Sequence, residues 1–233
     1  MTEPIAFISD IHGNYPALDA VLKDIHQRGI QQVYCLGDLI GFNSMVNEVV
    51  DRLREEQIPC IMGNHDYALI HNEGRIDRSK TATRILQRQQ KELSSENISF
   101  LAEMPESRTI SRNNRKLMMV HGGMQDPIDE YLLNFDQEYA DNYLEDTHIL
   151  ATGHTHQFFC KQVESGQMHL NPASIGQPRD GDPRASYGIL EEDNSFVQVR
   201  VEYPVDVIVE DMKRKGYEEY IFQVLYRGVR IGQ

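Results

Sequence analysis

Five short blocks of polar, metal-binding residue types each follow directly on an apolar run, and this pairing constrains the chain more than any other feature. Residues 5–9 (IAFIS) precede Asp10 and His12, 33–36 precede Asp38, and 58–62 precede Asn64, His65 and Asp66. Residues 116–120 precede His121, and 148–152 precede His154 and His156. Apolar runs of this length bounded by Gly and polar residues read as buried strands. In an α/β sheet the carboxyl ends of the strands form the rim where ligands bind. Five strand ends spread along most of the chain therefore deliver these blocks to one site.

Between the runs the period changes from two to 3.6. Asn14 caps a helix with Pro16 near its first turn, ending at Gly29. A second helix over about 45–56 places Val46, Val49, Val50 and Leu53 on one face. Strand, helix, strand, helix, strand implies parallel strands with crossover helices. Residues 67–104 read as a polar helical segment that could cap a site, with 79–90 and 95–104 the stronger helices and Pro105 closing the second. Asn113-Asn114 between 108–111 and 116–120 reads as a hairpin turn. A short helix near 136–144 follows. Runs at 158–163, 167–171, 185–191 and 195–202, separated in two places by turn residues, predict a series of antiparallel strands. Helices over about 205–215 and 218–226 end the chain. No linker or repeat divides it, so residues 1–233 read as one domain.

The block residues suit hard-to-borderline divalent metals. Imidazole with carboxylate fits zinc, iron, manganese or nickel, whereas calcium prefers all-oxygen sites. One carboxylate shared by two ions, flanked by donors on either side, makes a two-metal centre. Glycines beside the blocks, such as Gly37 and Gly63, permit tight turns and close approach to a phosphate. Taken singly, each block is weak: a lone D-x-H is more often a turn and a helix cap. The ordered set of five is a different matter. His26, His71, His148 and His169 fall outside the blocks and are not expected to be ligands.

Composition narrows the partners. With 23 basic and 36 acidic residues the net charge is −13, which disfavours broad nucleic-acid binding. An anionic substrate then needs local positive charge, and two divalent ions would supply it. The three cysteines form no CxxC pair; Cys35 and Cys60 read as core residues in a reducing cytoplasm. The sequence offers neither a secretory leader pattern nor an apolar run long enough to span a bilayer. The acidic surface and helical C-terminus are compatible with a homo-oligomer.

Read in order, the blocks are SDIHGN (9–14), LGDLIG (36–41), MGNHD (62–66), VHGG (120–123) and TGHTH (152–156). They resemble the signature of the calcineurin-like metallophosphoesterases, and NPASIGQPRDGDPRASYGIL (171–190) resembles the small prokaryotic phosphodiesterase branch. That resemblance implies an α/β fold, a two-sheet β-sandwich flanked by helices. It implies one metal on Asp10, His12, Asp38 and His156, and a second on Asp38, Asn64, His121 and His154. It makes His65 the catalytic histidine that is not a ligand, with Asp66 orienting it. The implied reaction is phosphoester hydrolysis, with a metal-bridging hydroxide attacking phosphorus in line with the leaving oxygen. A phosphodiester of a small molecule or nucleotide leads. A phosphomonoesterase, a dinucleoside polyphosphate hydrolase and a non-catalytic scaffold are the alternatives. The second block reads GDLIGFN and lacks the Asp-Arg-Gly of the protein phosphatases, which points away from them. Arg179 and Arg184 bracket a Gly-Asp-Pro loop and are candidate phosphate contacts, set against the reading that they form structural ion pairs.

Overall fold

The computed structural model describes residues 3–71 and 79–232. The first half contains β1 (Ile5–Ile8), α1 (Tyr15–Gln27), β2 (Gln32–Cys35), α2 (Val46–Glu55), α3 (Asn64–His71), α4 (Lys80–Glu92) and α5 (Ser95–Glu103). The hairpin β3 (Ser107–Arg112) and β4 (Arg115–Val120), then α6 (Gln137–Tyr143) and β5 (Ile149–Ala151), follow. The chain ends with β6 (Phe158–Gln162), β7 (Met168–Pro172), β8 (Ala185–Leu190), β9 (Phe196–Val201), α7 (Val205–Arg214) and α8 (Glu219–Phe222).

Alternation along the strands sorts the side chains into layers. In β1, Ile5 and Phe7 enter a core between two sheets, while Ala6 and Ile8 enter a second core under α1 and α2. Leu117, Met119, Ile149 and Ala151 complete the inter-sheet core from the other side. Val120 and Leu150 point the opposite way, against Phe135, Tyr139 and Ala140 beside and within α6. The result is a β-sandwich with helices on both outer faces, as expected. One sheet has the order β2-β1-β8-β9 and the other β3-β4-β5-β7-β6.

The local signals hold where the sequence is explicit. The Asn14 side chain accepts from the Ala17 N–H, and Ser79 and Ser94 cap α4 and α5 in the same way. Asn113 and Asn114 both take positive φ, as the tight β3–β4 turn requires.

Two expectations are corrected. The third strand, 58–62, shrinks to a single parallel bridge between Cys35 and Cys60. Pro59 has no N–H for a ladder, and the Met62 N–H leaves the sheet for the Pro105 carbonyl. The late strands do not form one antiparallel series. The β6–β7 pair joins the second sheet, with β7 parallel to β5, while the β8–β9 pair joins β1 in the first. The chain crosses between sheets over residues 173–184, and that crossing carries Gln177 and Arg179 past the rim. The last helix is also shorter than expected, α8 passing into a 3-10 turn at Gln223–Tyr226. Arg75, within the 67–104 segment expected to cap the site, lies outside the described residues.

Phe7 is fully buried between the sheets. Phe7→Ala is expected to cost about 3–5 kcal/mol of unfolding free energy, since it leaves a cavity that two sheets cannot close. Urea unfolding measures this, and a loss below about 1 kcal/mol would contradict the placement.

Candidate metal centre

The strand ends deliver the blocks through strained backbone. Asp10, His12, Asp38, His154 and His156 all have positive φ, between 50° and 65°. A non-glycine residue in this region costs about 1–3 kcal/mol and persists only where its surroundings over-determine it. Here they do. The Asp10 and His12 N–H groups donate to the Gly37 and Asp38 carbonyls. The His65 N–H donates to Asp38 Oδ1 at 2.9 Å and the His154 N–H to Asp10 Oδ2 at 3.1 Å. Each turn is therefore locked by the next block. Gly63 lies so close that a Cβ there would stand 2.3 Å from Asp38 Oδ1, so only glycine fits.

The side chains converge into two groups sharing Asp38. Asp10, His12, Asp38 and His156 have donor atoms within 4.8 Å of one another, as do Asp38, His121 and His154. Asp38 Oδ2 stands 3.6 Å from His12 Nε2 and 3.4 Å from His121 Nε2. Asn64 Oδ1 is 3.2 Å from His121 Nε2, which adds the amide to the second group. All seven predicted ligand positions thus meet at one rim, and all are buried.

Three of the imidazoles are fixed from behind. Nδ1 of His12, His121 and His156 lies 2.9, 2.7 and 2.6 Å from the carbonyls of Ile40, Leu36 and Gln177. A carbonyl only accepts, so each Nδ1 carries the proton and each Nε2 turns a lone pair inward. His12 Nε2 and His156 Nε2 then face each other at 3.1 Å. Two lone pairs at that distance repel unless a cation sits with them. Asp10 Oδ1 and His154 Nε2 are buried without hydrogen-bond partners among the described residues. Such orphans are rare unless an ion satisfies them. The donor set therefore fits divalent metal ions.

The titration behaviour follows the same charges. Burial alone would raise the Asp38 carboxyl, but the imidazoles of His121, His65 and His12 hold it well below the usual range. Burial would lower His121, but the Asp38 carboxylate pushes it up to about 10. Burial and the neighbouring His121 pull His154 down to about 3. His65 is also lowered, to about 4, mainly by burial.

One assigned role is corrected. Asp66 was expected to orient His65, yet its carboxylate accepts from the backbone N–H groups of Gly63, Asp38, Leu39 and Ile40 at 2.8–3.3 Å. Asp66 therefore braces the second block against the third, while His65 Nδ1 has no partner among the described residues. That role came from the family resemblance; in the first turn of α3 successive side chains diverge. The candidate arginines separate too. Arg184 is exposed and pairs with Asp182, 2.6 Å away, outside the cavity lining. Arg179 lines the cavity, donating to Gln177 Oε1 at 3.1 Å and to Tyr131 Oη at 3.4 Å. The remaining histidines are structural: His169 packs between Phe135 and Phe159, and His26 faces Glu56 on the surface.

Sequence reading missed Asp129, Tyr131 and Gln177. Asp129 Oδ1 lies 3.6 Å from His154 Nε2, and the Tyr131 ring centroid is 4.1 Å from that of His154. For Asp129 and Tyr131 the available signal was the acidic residues Asp126, Asp129 and Glu130 after VHGG. The fold of this stretch back over the site depends on the Gly122 N–H donating to Pro127 and the Gly123 N–H to Asp126, which no pattern announces.

A family model for the calcineurin-like phosphoesterase superfamily domain matches residues 4–195, and the chain belongs to this superfamily. It is a metal-dependent phosphoester hydrolase. An uncharacterised protein of Methanocaldococcus jannaschii, MJ0912, is 33% identical over 96% of this chain and 98% of its own length. The phosphodiesterase YfcE of Escherichia coli is 27% identical over 81% of this chain and 88% of its own. Among solved structures, a metallophosphoesterase from Sphaerobacter thermophilus is 29% identical, covers 98% of this chain and 100% of its own, and superposes with a TM-score of 0.76.

Divalent ions added to chelator-stripped protein are expected to raise Tm by several degrees, because they relieve the facing lone pairs and the unpartnered Asp10 Oδ1 and His154 Nε2. Asp38→Ala is expected to abolish most of that rise, since it strips a donor from both groups. Calorimetric melting decides, and an unchanged rise in the variant would show that the groups do not share Asp38.

Proposed function

We propose that the protein is a phosphodiesterase acting on a small organic phosphodiester or nucleotide, with two divalent ions. The observation that carries this reading is the pair of donor groups sharing the Asp38 carboxylate. Asp10, His12, Asp38 and His156 would hold one ion. Asp38, Asn64, His121 and His154 would hold the other, with manganese, iron, zinc and nickel all suited to the donors. When bound, such ions polarise phosphoryl oxygens and acidify water. The relation to a named phosphodiesterase of E. coli and the absence of the protein-phosphatase Asp-Arg-Gly both favour a diester.

The chain's own groups do the rest. The Ile40, Leu36 and Gln177 carbonyls hold three imidazoles in one tautomer, and Asp66 fixes the turn that carries Asp38. Arg179 lines the cavity and offers a planar fork to a phosphate group of the substrate. His65 lines the cavity and would protonate or hydrogen-bond the departing oxygen as its bond to phosphorus breaks. We read residues 1–233 as one metallophosphoesterase domain, in which parts of 67–104 and 205–233 form walls of the cavity. No helix among the described residues is long and apolar enough to cross a membrane. The three free cysteines suit a reducing cytoplasm.

Supplied separately with manganese, iron, nickel and zinc, the protein is expected to hydrolyse bis(p-nitrophenyl) phosphate faster than p-nitrophenyl phosphate. Turnover of the monoester alone would overturn the diester reading. His65→Ala is expected to keep its metal by elemental analysis while kcat falls by about 10²–10⁴-fold, the usual share of a general acid. Loss of metal in that variant would instead make His65 a ligand.

A further inference from the structure

The cavity over the donor cluster has a volume of about 530 Å³, within the range of sites that hold a whole small molecule rather than one phosphoryl group. Besides the donors, its lining includes Ser79 and Thr81 at the start of α4, Tyr220, and the last described residues, Arg230 to Gly232. Tyr220 and Arg230 lie beyond residues 4–195, so this part of the lining lies outside the span that the family model matches.

Two arginines line the cavity without a carboxylate partner. Arginines elsewhere are mostly paired: Arg28 with Asp24, Arg52 with Glu56, Arg84 with Glu218 and Arg88 with Glu92. Among the described residues neither Arg179 nor Arg230 forms a salt bridge, and Arg179 Nε is buried without any partner. In a chain of net charge −13, two unpaired guanidinium groups facing one cavity are an uneven use of positive charge.

Their placement is built rather than incidental. The Gly181 N–H donates to the Gly228 carbonyl at 2.9 Å, tying the C-terminal segment to the crossing loop. Arg179 is two residues before this contact and Arg230 two after it. Gly228 has φ of +62°, and a Cβ there would stand 2.4 Å from the Asp182 carbonyl, so the junction requires glycine. Nearby, Tyr220 Oη meets Thr81 Oγ1 at 2.9 Å and accepts from Arg84 Nη2, which fixes Tyr220 to α4.

We propose that Arg230, with Arg179, forms a second anion subsite, and that the substrate carries a further phosphate group besides the one that is cleaved. This rests on the phosphodiesterase reading and names its substrate class: an organic diester bearing a second phosphate. The donor cluster and its ions take the scissile group. A guanidinium fork binds a second phosphate bidentately. Phe42, Tyr131 and Tyr220 also line the cavity and supply apolar ring surface for the organic part of such a ligand. The acidic surface does not oppose this, because charges beyond a Debye length of about 8 Å are screened while the two arginines would touch the ligand.

The test uses metal-loaded protein and p-nitrophenyl alkyl phosphodiesters in matched pairs, the alkyl chain ending in methyl or in phosphate, from ethyl to hexyl. Calorimetry with the corresponding alkyl phosphonates and bisphosphonates, at constant free metal, gives binding independently of turnover. The phosphate-ended member is expected to be favoured by about tenfold in kcat/KM at the best chain length, one charged hydrogen bond's worth. Arg230→Gln should bring that ratio near one, and Arg230→Lys should restore part of it. The ratio is internal to each variant, so a general loss of fold or metal does not imitate the result. Equal rates at every length, or a preference that Arg230→Gln keeps, would overturn the subsite. Failure to cleave either series would count against the phosphodiesterase reading alone. The titrations then decide: tighter bisphosphonate binding lost in Arg230→Gln supports the subsite, and equal binding refutes it.

Discussion

The Nε2 lone pairs of His12 and His156 meet 3.1 Å apart beside the carboxylates of Asp10 and Asp38, and the fold around the rim exists to hold them there. Nothing in that arrangement is favourable by itself. Donors repel, buried oxygens lack partners, and five of the seven candidate ligands sit in left-handed backbone. The cost is carried by the two cores on either side of the first sheet, where burial of apolar area contributes about 25 cal/mol per Å². A rigid sandwich can thus keep a strained, cation-shaped hole open.

Rigidity is transmitted by backbone rather than by side-chain pairs. Asp66 collects four N–H groups from two blocks, and Asp38 and Asp10 each accept an N–H from a neighbouring block with one oxygen while the other faces the centre. This division of labour within one carboxylate explains why each ligand is aimed. It also explains why the cluster is buried although it is polar: its outward-facing atoms are already satisfied.

The strand ends and the connections around them divide the chemistry between them. The strand ends present the donors for a generic phosphoryl group. The loop over 123–131, the crossing at 173–184 and the C-terminal segment surround that group with aromatic and cationic side chains. Selectivity then resides in connections whose conformation depends on partners far away in sequence, such as the Gly181 to Gly228 hydrogen bond.

Sequence by itself determined the polar blocks at the strand ends, the helix cap at Asn14 and the Asn113-Asn114 turn, because each is a local pattern of residue type and period, while the two-sheet class came from the family resemblance that those blocks carry. Strand-end position also separates His121, His154 and His156, which meet in the donor groups, from His26 and His169, which do not. Tertiary structure alone decided that Asp66 braces a loop instead of a histidine, because a side chain's direction depends on the turn it starts. Tertiary structure also decided that Arg184 goes to Asp182 while Arg179 faces the cavity. The same holds for the late strands, which divide between two sheets: hairpin signals specify partners within a pair and say nothing of which sheet edge the pair will join. Local order is written in neighbours, whereas these outcomes depend on contacts between residues that only the folded chain brings together.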